Sequence, residues 1–260
     1  MIVEWLQSLT TPCPAPWRQM GFLREAIGIN ARYSRNKTAW QSHLKHSRTA
    51  VLTAADNCPK KRKVVLLGAA AVHDLPVAEL ADMFDEVVLV DLFHLWRARW
   101  LAFRQPNITL VACDLTASLE TIWRGNTDIT KPTVFIDDPA IDLVVSGNIA
   151  SQLPLLALSW LKRKSSLTED ACQHVGRDLI SAHFNWLSGF RGTVCLITDR
   201  ERLTFDSEGR EVHRESALFD VPSPAANNEW VWEIAPPGEI NNKVARSHIV
   251  ISSILGQNSP

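Results

Sequence analysis

The sequence predicts an α/β protein: a doubly wound, mostly parallel sheet of seven strands with an antiparallel last strand, preceded by N-terminal helices. Three observations predict it. Short apolar runs alternate with helical patterns from residue 63 onwards, the mark of βαβ units around a parallel sheet. Two apolar runs, 230–234 and 248–254, close the chain among Pro222, Pro224, Pro236 and Pro237, and suit an antiparallel pair on the sheet edge. Residues 1–58 read as helices with too few apolar positions for a core of their own, so they are expected to pack on a main domain spanning 59–260.

Taken in order, helices are expected over about 17–27 and 38–55. Val64-Val65-Leu66-Leu67 is the first buried strand, ending at Gly68. A helix follows with Asp74 near its start, Pro76 in its first turn, and Leu80, Met83 and Phe84 on its apolar face. Val87-Val88-Leu89-Val90 is the second strand, closed by Asp91. The next helix, about 94–104, is expected to bury Leu95, Trp96, Trp100 and Phe103. Residues 108–113 make the third strand, ending on Asp114, and a helix or loop follows over about 116–125. Leu143-Val144-Val145 is the fourth strand, leading into Ser146-Gly147-Asn148. Ser166 and Glu169 form a capping box for a long helix over 168–187, whose stripe is Ala171, Val175, Leu179, Ala182 and Trp186. Gly189 and Gly192 stop it, and 194–198 is the fifth strand.

Bulk properties narrow the function. Forty-six per cent hydrophobic and 21 per cent charged residues are ordinary for a soluble globular chain, and a net charge of −1 argues against a general nucleic-acid-binding surface. Five cysteines form no C-x-x-C pair and read as reduced thiols in a cytoplasmic protein, with no metal site. The N-terminus lacks the pattern of a signal peptide, and the longest apolar run, 153–161, is half of what a membrane-spanning helix needs. Pro59-Lys60-Lys61-Arg62-Lys63-Val64 spells a viral nuclear-import string, but it runs directly into the first strand and is read as that strand's approach. No G-x-S-x-G elbow follows any strand, which excludes a serine hydrolase of that type.

In open α/β sheets ligands bind beyond the carboxyl ends of the strands. Strand one delivers Gly68-Ala69-Ala70-Ala71-Val72-His73-Asp74 to that edge. Strand two delivers Asp91, 23 residues after Gly68, with Leu92 behind it; strand three delivers Asp114 and Leu115; strand four delivers Ser146-Gly147-Asn148. Small residues let the backbone approach a ligand, a following helix start favours a carboxylate or phosphate, and an acid after strand two can accept ribose hydroxyls. Each acid taken alone is equally a turn former or helix cap; the set in this order is the signal.

At these residues the chain resembles the class I methyltransferases that use S-adenosylmethionine, over about residues 60–255. The resemblance implies that the loop at Gly68, Ala69 and Ala70 cradles the methionine part of that cofactor, with His73 or Asp74 making up a missing contact. It implies that Asp91 and Leu92 hold the ribose, that Asp114 and Leu115 meet the adenine, and that Ser146 and Asn148 face the methyl group and acceptor. The chain departs from the family at the loop: where an acid and alternate glycines are usual it has Leu66, Gly68, Ala70 and Val72. His73 and, secondarily, His43 are the candidate bases.

Between residues 24 and 48 stand Arg24, Arg32, Arg35, Lys37, His43, Lys45, His46 and Arg48 against Glu25. This basic stretch is either a solvated helical face or the reader of an anionic acceptor through Arg32, Arg35 and Arg48. The expected function is methyl transfer to a small molecule. Two alternatives stand beside it: a cofactor-free binding or scaffold protein, and an NAD(P)-dependent oxidoreductase, for which Asp91 would serve equally but the loop lacks the second glycine needed beside a pyrophosphate.

Overall fold

A computed structural model describes residues 2–165, 167–240 and 244–255. The elements follow as α1 (Ile2–Thr10), α2 (Ala15–Met20), α3 (Phe22–Arg35), α4 (Lys37–Asn57), β1 (Lys63–Leu67), α5 (Val77–Met83), β2 (Glu86–Asp91), α6 (Trp96–Arg104), β3 (Ile108–Ala112) and α7 (Leu119–Trp123). The second half holds β4 (Ile141–Gly147), α8 (Leu153–Lys164), α9 (Glu169–Leu187), β5 (Thr193–Phe205), β6 (Glu211–Ser216), β7 (Asn228–Ala235) and β8 (Ala245–Leu255).

The strands form one sheet in the order β3-β2-β1-β4-β5-β8-β7, parallel from β3 to β5 and antiparallel from β5 to β7. The reversal of direction in the strand order lies between β1 and β4, which are fully buried over Val64–Leu67 and Leu143–Val145. Continuous Val/Leu runs are what a strand covered on both faces requires. One face packs on Trp40, Val51, Ala54 and Ala55 of α4 and Leu80 of α5; the other packs on Leu153 of α8 and on Trp186 and Leu187 of α9. Helix α4 thus shares a core with the strands.

Several expected elements change. The helix expected over 17–27 is two, because Gly21 adopts φ +97° and caps α2 through bonds to Arg18 and Trp17. Helix α1 is a further element ahead of the two expected helices. An eighth strand, β6, escapes the sequence reading because its six residues are all charged or exposed except Ser216. It exists because β5 runs past the end of β4, and β6 pairs with the edge of Glu201–Phe205 left open there. Ser166 lies outside the described residues; the cap of α9 is Thr168, whose hydroxyl accepts from Ala171 N at 3.2 Å.

The expected burial in α6 is also corrected. Leu95 is buried, but Trp96, Trp100 and Phe103 are 37, 59 and 86 per cent exposed. The three form a genuine helical stripe, yet α6 turns its small residues to the sheet: Ala98 is fully buried and Leu101 and Ala102 pack beside it. Small side chains permit the closer helix–sheet approach, and the aromatic stripe is left outside, where Trp96 Nε1 donates to Thr10 Oγ1 at 2.8 Å. No helix among the described residues is long and apolar enough to cross a membrane.

Candidate functional site

A cavity of about 540 Å³ opens at the carboxyl edge of β1, β2, β3 and β4, roofed by α3 and α4 and walled on the far side by β5, β7 and β8. Its size is ordinary for a small-molecule site. Gly68, Ala70, Asp74, Asp91, Leu92, Asp114, Leu115, His73 and Asn148, all named from the sequence, line it. Ala69 and Ser146 do not: each is fully buried. Side chains alternate along a strand, so Ser146 shares the face of Val144 and its hydroxyl lies 2.9 Å from His183 Nε2 of α9.

The loop after β1 is held by its neighbours. Gly68 N and Ala69 N both donate to Val90 O, and Ala70 N donates to Asp91 Oδ2 at 2.9 Å. Gly68 has φ +83°, and a Cβ there would sit 2.8 Å from Gly147 O and 3.0 Å from Ile149 Cβ. Close approach of β1 and β4 therefore demands this glycine. Val72, at the site of an expected glycine, keeps the glycine-like backbone with φ +52°, and Asn148 has the same φ. A β-branched residue in that region costs of order 1–3 kcal/mol. Of the six non-glycine residues with positive φ among the described residues, these two line the cavity. The expected helix start near Asp74 is displaced: α5 begins only at Val77, behind Pro76.

Asp91 accepts from Leu92 N at 2.7 Å on its other oxygen. Burial pushes its carboxyl up to about 6, while the two backbone N–H groups pull it down. Each oxygen keeps a lone pair for a further donor. Asp114 accepts from Thr116 N and Oγ1 (2.8 and 2.7 Å) through Oδ1 and from Leu119 N (2.8 Å) through Oδ2, so it also builds its own turn.

The other half of the cavity centres on Asn148, whose Nδ2 donates to Asp74 Oδ2 at 2.6 Å and lies 3.2 Å from His43 Nε2. Burial raises the Asp74 carboxyl. His43 is stacked 3.9 Å from Trp232 at 8°, and its Nδ1 accepts from Trp230 Nε1 at 3.1 Å. Two of the ten tryptophans, Trp230 and Trp232, thereby flank one histidine, and Trp40 packs edge-on against Trp232. Burial lowers His43 to about 3; with Nδ1 taken by Trp230 and the residue 1 per cent exposed, it is packed core. His73 Nε2 lies 2.8 Å from Asn30 Oδ1, and its ring lies 3.9 Å from Tyr33, tying the loop to α3. Burial, then Arg97, lowers it to about 4.

Sequence reasoning missed the far wall: Asp199, Arg202, Glu215, Trp232 and His248. His248 Nδ1 lies 3.0 Å from Asp199 Oδ2, which accepts from Ser151 Oγ at 3.0 Å. Arg202 donates to Ser151 O at 2.8 Å. Burial alone would raise Asp199, but His248, Arg202 and His43 hold it below the usual carboxylate range. A signal for it existed: Asp199 ends the apolar run 194–198 just as Asp91 ends Val87–Val90, although β5 itself continues past it. Among the described residues no group of three His, Cys, Asp or Glu is placed to hold a metal.

Of the three arginines expected to read an anion, only Arg32 lines the cavity. Arg48 is paired with Glu79 and donates to Leu75 O at 3.2 Å. Arg35 grips Glu239 at 2.5 and 3.2 Å, Asn36 Nδ2 joins at 2.8 Å, and Arg32 stands 3.6 Å away. These contacts fasten the segment after β7 onto α3. The Arg35 bond lowers Glu239 to about 2, below its unfolded value of 4.5. A depressed carboxyl stabilises the fold above about pH 4.5, and that contribution fades as pH falls towards about 2. Glu239→Gln is expected to lower Tm at neutral pH, with the gap to the wild type closing on acidification in parallel melting curves.

No family model matches the chain, and no curated protein does. Among solved structures it is similar to a Burkholderia thailandensis 1,6-didemethyltoxoflavin-N1-methyltransferase bound to 1,6-didemethyltoxoflavin and S-adenosylhomocysteine. The two are 14% identical, covering 93% of this chain and 92% of that one at a TM-score of 0.43. The DhpI–SAM–HEP complex is 14% identical, over 92% of this chain and 99% of that one, with a TM-score of 0.37. The glycopeptide N-methyltransferase MtfA with S-adenosylmethionine is 12% identical, over 79% and 93%, with a TM-score of 0.31.

Proposed function

We propose that the chain binds S-adenosylmethionine and transfers its methyl group to a small molecule. One observation carries this: a single cavity joins the loop of Gly68, Asp91 and Asp114 to a separate polar chamber around Asn148 and Asp199. The residues fit the cofactor. Asp91 keeps a lone pair on each oxygen for the ribose hydroxyls, and Asp114 keeps one on Oδ2 for an amino group. Backbone from Gly68 to Ala71 would run along the methionine part. When bound, the sulfonium supplies an electrophilic methyl group, so the chain's task is to position, exclude water and manage a proton.

A second reading, a cofactor-free scaffold, is favoured by a different observation. Gly68 is already required by the approach of β1 to β4, and Asp91 and Asp114 are already engaged by backbone donors. Calorimetric titration separates the readings. Micromolar binding of S-adenosylmethionine and S-adenosylhomocysteine with no response to NAD is expected. Silence from all three would support the scaffold, and a response to NAD alone the oxidoreductase.

A further inference from the structure

We propose that His248, beside Asp199, is the base that receives the acceptor's proton, and that the acceptor is a planar molecule bearing a phenol-type hydroxyl. This rests on the methyl-transfer reading and names the substrate class of the same site.

His248 is in close contact with a buried carboxylate: its Nδ1 stands 3.0 Å from Asp199 Oδ2 but outside hydrogen-bond geometry, the same oxygen accepts from Ser151 Oγ, and Asp199 is 2 per cent exposed. A carboxylate beside Nδ1 places the ring proton there and leaves Nε2 as the acceptor. Nε2 makes no hydrogen bond among the described residues, and His248 lines the cavity. The other cavity histidines differ: His43 Nδ1 is taken by Trp230, and His73 is bound through Nε2 to Asn30, with its Nδ1 buried and no carboxylate beside either nitrogen.

The walls and charges of the chamber select the acceptor. Trp40, Trp232 and Ile234 give flat apolar surface, and Trp232 Nε1 is a buried donor with no partner, aimed at nothing in the protein. Asp199 Oδ1 is likewise buried and unpartnered. Buried polar groups left unpaired by the protein mark a place where a ligand supplies the partner. The charged and titratable groups of this chamber are Asp199 and Arg202 on β5, Glu215 on β6, Arg246 on β8, His43 on α4, Arg32 on α3 and Asp74 before α5. Arg202 is committed to Ser151 O and stands 3.6 Å from Glu215. Three arginines stand beside these carboxylates, but the Asp199 carboxylate next to His248 disfavours an anionic oxygen at the imidazole itself, so the acceptor hydroxyl enters with its proton on. A hydroxyl of pKa about 10 is within reach of an imidazole base, whereas an aliphatic hydroxyl near water's value of about 15.7 is not.

In the transfer, His248 Nε2 takes the hydroxyl proton as the acceptor oxygen bonds to the methyl carbon. The electron pair of the broken C–S bond stays on sulfur, and the imidazolium faces the Asp199 carboxylate.

The test uses para-nitrophenol, whose phenolate absorbs in the visible and whose phenol does not. The full chain is first titrated with S-adenosylhomocysteine; no binding here removes the methyl-transfer reading itself. With that ligand bound, para-nitrophenol is added in buffer below its solution pKa. The expected result is a phenolate band in the wild type that is lost in His248→Gln and reduced in Asp199→Asn. If His248→Gln fails to fold, Asp199→Asn carries the comparison, since it removes the carboxylate charge but keeps an oxygen beside Nδ1. Binding of S-adenosylhomocysteine without a phenolate band, or a band unchanged in the variants, overturns the proposal.

Discussion

Asp91→Ala is expected to weaken S-adenosylmethionine binding by about 1.5–3 kcal/mol, or roughly ten- to 150-fold, the scale for losing hydrogen bonds to a charged group. The carboxylate sits at the end of β2 with Leu92 N on one oxygen and Ala70 N on the other, leaving one lone pair on each for the ribose. The same truncation orphans two backbone donors, so stability falls as well. Asp91→Asn separates the two effects. It retains one carbonyl acceptor and therefore keeps more of the fold, while it still loses the charge and one ribose contact. Calorimetry of both variants beside their melting curves decides. If affinity is unchanged in a folded Asp91→Asn, the carboxylate is a turn-former and the cofactor assignment fails.

Gly68→Ala is expected to destabilise the fold by about 2–5 kcal/mol, the sum of a left-handed backbone penalty of about 1–2 and an overpacking cost of about 1–3 kcal/mol. The obstacle is backbone: Gly147 O at 2.8 Å cannot rotate aside, and Ile149 Cβ closes the other side at 3.0 Å. Val72→Gly supplies the contrast four residues along. It relieves a positive φ worth about 1–3 kcal/mol but removes a 2-per-cent-exposed side chain worth about 1.5–3 kcal/mol, so near-neutrality is expected. Denaturant unfolding of the two variants measures this. Equal stabilities would show that β1 and β4 can separate and that Gly68 is not fixed by their crossing.

Much of the sheet was legible because its strands are buried on both faces. The runs Val64-Val65-Leu66-Leu67 and Val87-Val88-Leu89-Val90 admit little else, and the acids Asp91 and Asp114 stand where each strand ends. The same logic overreached at Ser146, where a one-residue step along β4 turns the side chain to α9 and away from the cavity. It fell short at β6, which has no apolar face and is specified by the open edge of β5 rather than by its own residues.

Local chemistry along the chain thus set the α/β class, the order of the parallel strands' residues and the first half of the cavity, since burial pattern and strand-end acids are properties of neighbours in sequence. The second half depends on contacts between distant segments. His248 meets Asp199 only because β8 runs antiparallel along β5, and His43 meets Trp230 and Trp232 only because α4 crosses β7. No spacing in the sequence encodes those meetings; they follow from strand register and helix docking, which the packed core alone establishes.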